Sequence, residues 1–306
     1  MTLLLLVLPV FLVILLGAVL RWRFIKDAGF WNHLSQLTYW VLFPAFLFYK
    51  TSQVQIGHPG IIDFSIALLA GFLAAVALAW IWGRVSGIAS AALTSVIQGA
   101  GRHNTFIPLA VSAQLFGASG AATGTVATAV LVPFSNVVMV FMMSVLLGQN
   151  KKSLSAILLD TARNPVIMSM SAGFLVNVLG MSGDPVLYEL TGQLGQAALP
   201  IVLLCIGAGL QFSGMSRQLM PVLMACTGKM LIFPLVTWSV AYLAGLPEEF
   251  IVIAVLFAIA PTSTAGYPLA KQMGGDAPLI ASIISVQTLL AVLAVPVAVV
   301  LLGYQL

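Results

Sequence analysis

Gln98-Gly99-Ala100-Gly101-Arg102-His103-Asn104-Thr105-Phe106-Ile107-Pro108 places an arginine, an imidazole, an amide and a hydroxyl in four consecutive residues of an otherwise apolar stretch. The planar guanidinium of Arg102 either grips a carboxylate through two parallel hydrogen bonds or reaches for the membrane interface. His103 titrates near neutral pH, so it either gates or carries a proton, or serves as a structural donor. Asn104 donates and accepts at once, which suits holding a carboxylate oxygen or capping a helix. Thr105 adds a hydroxyl. A second concentration follows at Ala260-Pro261-Thr262-Ser263-Thr264-Ala265-Gly266-Tyr267-Pro268, where Thr262, Ser263, Thr264 and Tyr267 offer hydroxyls to a ligand or back to their own helix. Asn136 and Gln287 could line the same space or join helices. Lys50 and Asp63 could pair in its support or stand solvated.

The missing residues narrow the chemistry. No aspartate or glutamate lies deep in an apolar run, so the intramembrane carboxylates of a cation antiporter are absent. There is no Gly-x-x-x-x-Gly-Lys phosphate loop, no clustered metal ligands and no nucleophile–base arrangement. No enzyme, cofactor or metal is expected. Cys205 and Cys226 both fall in apolar runs and read as inert thiols.

The elements that hold these residues must sit in lipid. The chain has 306 residues, 61% hydrophobic and 7% charged, with a mean hydropathy of +1.11. Soluble domains carry roughly 25% charged residues, so so few charges cannot cover a water-facing surface. The net charge of +4 is scattered through short loops, which argues against nucleic acid. Apolar windows of about 20 residues predict ten spans near 3–20, 34–51, 61–82, 92–116, 121–147, 165–180, 188–211, 219–244, 250–272 and 277–304. The first reads as a retained helix rather than a signal peptide. Lys151–Arg163 is expected to lie on the membrane surface. With both termini outside, Arg21, Arg23, Lys26, Arg84, Lys151, Lys152, Arg163, Arg217 and Lys271 fall in cytoplasmic loops, and Asp184, Glu189, Glu248 and Glu249 fall outside.

The chain also repeats itself. Pro9 and Pro44 are spaced as Pro165 and Pro200 are, Ile107-Pro108-Leu109-Ala110 matches Tyr267-Pro268-Leu269-Ala270, and Val132-Pro133 matches Val295-Pro296. Two units follow, 1–150 and 165–306, joined by 151–164. Five spans in each unit is an odd number, so the halves must be inverted, the signature of secondary transporters with a midplane site. The two polar stretches fall at matching places and read as broken helices. Gly101 and Pro261 suit the ends of the incoming half-helices; Pro108 and Pro268 suit the first turns of the outgoing ones. Gly266 suits the second break. The free N–H groups of the outgoing half-helices then favour an anion.

These breaks resemble the auxin efflux carrier family, in its bacterial permease branch, within the bile/arsenite/riboflavin transporter superfamily. Arg102-His103-Asn104-Thr105 is similar to the family's Arg-aromatic-Asn-Thr pattern. Pro261, Tyr267-Pro268-Leu269-Ala270-Lys271-Gln272, Asp276-Ala277-Pro278 and the run from Ile283 to Pro296 match more closely. The resemblance implies an all-α membrane fold like that of bile acid symporters and sodium/proton antiporters. In that fold helices 1, 2, 6 and 7 form a scaffold and homodimer face. Helices 3–5 and 8–10 form a moving transport domain in which helices 4 and 9 cross. It carries the crossover asparagine's role to Asn104, the crossover prolines to Pro108 and to Pro261 or Pro268, and a supporting lysine–aspartate pair to Lys50 and Asp63. His103 departs from the aromatic pattern, Thr264 stands where the repeat would place an asparagine, and the central loop is short. The expectation is a permease of the bacterial inner membrane for small carboxylates such as malonate or malate. It would work by alternating access, exporting under the membrane potential or coupling to sodium or protons. A non-transporting membrane sensor is the other class.

Overall fold

The computed structural model describes residues 3–53, 60–148, 159, 162–180, 185–210 and 219–302, with backbone alone for 3–7. The surface segment expected over Lys151–Arg163 lies almost wholly outside the described residues, as do Asp184 and Arg217. Among the described residues every regular element is a helix.

In chain order these are α1 (Leu3–Val19), α2 (Ala28–Leu37), α3 (Phe43–Thr51), α4 (Ile61–Val85), α5 (Ser90–Gly101), α6 (Phe106–Leu147) and α7 (Pro165–Val178). There follow α8 (Pro185–Ala208), α9 (Leu219–Thr227), α10 (Phe233–Leu243), α11 (Glu248–Ile259), α12 (Gly266–Met273) and α13 (Ala277–Leu301). Five segments are long and apolar enough to cross a membrane: Ile61–Val85, Ser90–Leu147, Pro185–Ala208, Leu219–Leu243 and Ala277–Leu301. The chain is an all-α membrane protein.

Proline decides where the helices bend. α2 and α3 join through a wide turn, Thr38–Leu42, in which the Phe43 N–H reaches back five residues to the Thr38 carbonyl. Pro44 follows at once and has no N–H to give the carbonyl one turn earlier, so the ladder widens to compensate. The same device, Gly228–Ile232 before Phe233-Pro234, joins α9 to α10. At the start of α2, Asp27 accepts from the Gly29 and Phe30 amides at 3.0 and 2.9 Å. Those amides hold its carboxyl below the usual carboxylate value.

α6 has 42 residues, about 63 Å if straight at 1.5 Å per residue, twice the hydrocarbon thickness of about 30 Å. It folds back at Gly117, whose φ of 60° and ψ of −134° lie outside the helical region. Only glycine adopts that conformation readily. The reversal brings Gly120 against the Ser112 carbonyl, 2.1 Å from where a Cβ would stand.

Two packing groups result. α1 lies along α8, and α3 against α7 and α8. α4 lies along α10, α5 contacts α4, α9 and α13, and α11 contacts α6 and α10. α6 touches both groups. The α1–α8 contact is backbone on backbone. A Cβ on Gly17 would stand 2.1 Å from the Leu204 carbonyl oxygen, and one on Gly207 1.8 Å from that of Ile14. Small residues permit such approach where lipid supplies no hydrophobic drive between helices.

Candidate functional site

The two polar stretches break their helices and meet. α5 ends at Gly101, and Arg102 continues in an extended conformation at φ −63°, ψ 147°. α11 ends at Ile259, and Ala260 does the same at φ −56°, ψ 139°. The Asn104 N–H donates to the Pro261 carbonyl at 2.6 Å, joining one break to the other. Beyond each break a new helix starts with its proline third in line, Pro108 in α6 and Pro268 in α12. There the missing N–H costs no helical bond.

A polar knot ties the crossing to α13. Gln287 Oε1 accepts from the Thr262 N–H at 2.9 Å and lies 2.7 Å from the Thr262 hydroxyl. Its Nε2 donates to the Gly99 carbonyl at 2.9 Å, and the Thr262 hydroxyl lies 2.8 Å from the same oxygen. Gln287 and Thr262 are fully buried, so they join helices rather than line a cavity.

Asn104 is used as a cap. Its Oδ1 accepts from the Phe106 and Ile107 amides at 2.9 and 3.1 Å, satisfying the first donors of α6. Its side chain is occupied with its own helix, whereas Arg102, His103 and Thr105 beside it line a cavity. In the second half the side chain that turns back is Ser263, through a longer 3.3 Å bond from the Ala265 amide. Thr264, the position the repeat aligns with Asn104, is exposed and lines the cavity with Ser263.

That cavity measures about 140 Å³ and is bordered by Tyr39, Arg102, His103, Asn136, Asn164 and Ser263, among others. A guanidinium nitrogen of Arg102 donates to Asn136 Oδ1, so the arginine turns inward rather than snorkelling. Asn136 thereby does both things expected of it, lining the space and linking helices. Tyr39, Phe106, Thr264 and Ala265 are shared with a wider cleft of about 600 Å³, to which Tyr267 and Pro268 contribute. The cleft runs past Asn32 and Ser35 of α2 and Cys205 and Gly209 near the end of α8. Those residues lie toward the end of the molecule that carries residues 25–27.

Lys50 and Asp63 are not brought together. The Lys50 ammonium lies 5.9 and 5.5 Å from the ring centroids of Phe46 and Tyr49, its own helix neighbours. Asp63 is exposed in the first turn of α4. Among the described residues the two form no ion pair. The aromatic faces beside Lys50 suit its charge.

Lys229 was passed over in the sequence. It sits in the wide turn between α9 and α10, fully buried, with its ammonium 4.4 Å from the Phe233 ring centroid. The signal was present: an ionisable residue ten positions into an apolar run is a functional candidate by default. Among the described residues no group of three or more histidines, cysteines or carboxylates could hold a metal ion.

No family model matches the chain. Over 296 residues, 95% of this chain and 95% of the other, it is 23% identical to an uncharacterized transporter of Methanothermobacter thermautotrophicus (strain Delta H).

Proposed function

We propose that this chain is a secondary transporter of small organic anions, working by alternating access about the crossing of its two broken helices. The transport role draws on the full-length likeness to a protein named a transporter. One observation carries the choice of an anion: Arg102, together with Phe106 at the start of α6 and Ala265 just before the start of α12, borders one small cavity at the crossing. A helix N-terminus is worth roughly half a positive charge. The start of α6 is already capped by Asn104, so the guanidinium and the start of α12 amount to about one and a half, which suits a dicarboxylate better than a monocarboxylate. A cavity of about 140 Å³ is well under the roughly 300–1,000 Å³ of drug-sized pockets and suits a carboxylate of few carbons, such as malonate or malate.

The arrangement also favours the auxin efflux carrier reading. In it ten spans form two inverted units, 1–150 and 165–306, joined by 151–164, with α5–α6 and α11–α12 as the crossing pair. α1, α2, α3, α7 and α8 pack among themselves and would form the scaffold and homodimer face. α4, α5, α9–α13 and most of α6 would move as the transport domain. With the basic loops cytoplasmic in a bacterial inner membrane and both termini outside, the cleft is an inward-open path. An inside-negative potential then drives export by about 2.3 kcal/mol per charge per 100 mV. No catalytic role is proposed.

The test is flux of labelled malonate and malate in proteoliposomes under a potassium-diffusion potential, with and without sodium. Expected is potential-driven flux, indifferent to sodium and lost in Arg102→Ala. Sodium-dependent flux would make the chain a cation-coupled symporter. Saturable binding without flux would make it a sensor.

A further inference from the structure

Behind the crossing lie two basic side chains that the anion site leaves unused. The Lys229 ammonium is fully buried, and among the described residues it meets no hydrogen-bond acceptor. His103 is 4% exposed, and neither ring nitrogen has a partner there. Buried polar groups without partners are few in native structures, and each one calls for an explanation. Two such groups at one helix break, one of them lining the cavity, call for a shared one.

Their placement supplies it. The wide turn bearing Lys229 is pressed against the end of α5: a Cβ on Gly228 would stand 2.6 Å from that of Ala100, two residues before Arg102. His103 borders the cavity, with its ring 6.2 Å from that of Phe257, and stands three residues past Ala100, against which the Lys229 turn is pressed. His103 lines the cavity and Lys229, fully buried, does not. The imidazole is therefore the base that stands between the cavity and the lysine's turn, and an imidazole passes protons.

One further titratable group shares the cavity: Tyr39, which borders it with Arg102 and His103. α4 brings Asp63 and Arg84, both exposed at its ends, and α11 brings Glu248 and Glu249 in its outer first turn. α10 brings Tyr242, which is exposed, and α9 brings Cys226, which faces Gln287. α5 brings no ionisable side chain; past its end, Arg102 is held by Asn136. No aspartate or glutamate is among the buried described residues, so a coupling proton has only bases to ride on. The ammonium stands 4.4 Å from the Phe233 ring centroid, but a ring face leaves its N–H donors without an acceptor, and a methionine would fill the same space with no unpaired polar atom.

We propose that His103 and Lys229 form a proton site, loaded and emptied through the cavity, so that one proton travels with each anion. Hydronium in the open cavity gives its proton to a His103 nitrogen; the two bases are not hydrogen-bonded to each other here, so a swing of the imidazole or a bridging water carries the proton on to Lys229 Nζ. After the cavity has turned to the other side, the reverse steps return the proton to water, and only N–H and O–H bonds change. The proposal rests on the crossing being a transport site. It refines potential-driven export without opposing it, since a dicarboxylate with one proton still carries one net negative charge.

The experiment is malonate accumulation in proteoliposomes whose potential is clamped at zero with valinomycin and equal potassium. With the outside one pH unit more acid, and protein-free vesicles subtracted, the wild type should concentrate the label toward about tenfold, the limit for one proton per anion. Lys229→Met should abolish that accumulation. Lys229→Arg should abolish it too, because a guanidinium keeps the charge but does not release its proton. Retained accumulation in Lys229→Arg would make the lysine a fixed charge and overturn the proposal, as would a wild type that equilibrates label but ignores the pH gradient. A wild type that moves no label refutes the transport reading instead. The proton site is then read on purified protein without any anion, from the pH dependence of thermal unfolding. Profiles that differ by one proton between wild type and Lys229→Met support the site, and superimposable profiles overturn it.

Discussion

Gln287→Met tests whether the knot at the crossing is what holds the two broken helices together. Methionine matches the volume of glutamine, so no cavity opens and the change is confined to hydrogen bonding. The Thr262 N–H, now 2.9 Å from Gln287 Oε1, loses its acceptor in a fully buried position. Leaving such a donor unpaired costs about 1–3 kcal/mol, and losing one ordinary hydrogen bond about 0.5–1.5 kcal/mol. The second term applies to the Gly99 carbonyl, which loses Gln287 Nε2 at 2.9 Å and keeps the Thr262 hydroxyl at 2.8 Å. The sum is about 1.5–4.5 kcal/mol. A chain longer than 250 residues melts lower by roughly 2 °C per kcal/mol, so the expected drop is about 3–9 °C in detergent, followed by tryptophan fluorescence. The control is one residue away. The Thr288 hydroxyl bonds back to the Ile284 carbonyl at 2.7 Å, within its own helix. Thr288→Val should therefore cost less than about 1 kcal/mol. If Gln287→Met melts within about 2 °C of wild type, or no lower than the control, the knot does not hold the crossing and the reasoning fails.

Three further outcomes follow from the same geometry. Asn104→Ala strips the acceptor from the Phe106 and Ile107 amides and should lower stability by about 0.5–2 kcal/mol in chemical unfolding. Asn104→Asp keeps the cap and should melt like wild type while its added charge weakens malonate binding roughly tenfold; equal stability losses in both would mean that the amide is no cap. Gly207→Ala forces a methyl against the Ile14 carbonyl, parts α1 from α8, and should cost about 1–3 kcal/mol, seen as a lower melting temperature with the crossing intact. At Asp27 the folded carboxyl titrates below its ordinary value, so its cap contributes fully above the ordinary carboxylate pKa of about 3.9 and is lost as pH falls through the lowered one. Thermal unfolding followed from about pH 6 to about pH 3 should show that acid-side loss in wild type and not in Asp27→Asn, whose amide caps without titrating.

Much of this was legible because lipid restricts what a chain can do. Apolar windows located two of the long segments to within a few residues: 219–244 became Leu219–Leu243 and 61–82 became Ile61–Val85. The breaks showed through because Gly101, Pro108, Pro261 and Pro268 fit few other backbones. The start of α2 was set six residues late, since Asp27 and a polar first turn begin a helix that hydropathy alone does not reach. What could not be read was direction. Thr262 and Thr264 look alike in sequence, yet one is locked to Gln287 and the other is open to the cavity, because a break fixes each side chain by backbone angles rather than by helical period. Lys229 hid for another reason: one charge barely lowers the hydropathy of a 25-residue segment.

The way Asn104 is spent changes where an anion must be gripped. The start of α6 already has its first two amides paired to that side chain, so a carboxylate arriving there would have to displace a buried cap. α12 is different. Its cap is the single 3.3 Å bond from the Ala265 amide to Ser263, in an exposed position beside the cavity. A carboxylate oxygen there would replace a weak neutral acceptor with a charged one, and charge-assisted bonds are roughly twice as strong. Arg102 borders the same cavity from the first half. The two carboxylates of a dicarboxylate would then span the crossing, one on Arg102 and one on the start of α12, and so join the two broken helices through the substrate. Ser263→Ala should accordingly leave malonate binding nearly unchanged, since the anion displaces that hydroxyl, whereas Arg102→Lys, which loses the planar fork, should weaken it. Titration calorimetry on the two variants decides the matter: equal losses would place both carboxylates elsewhere.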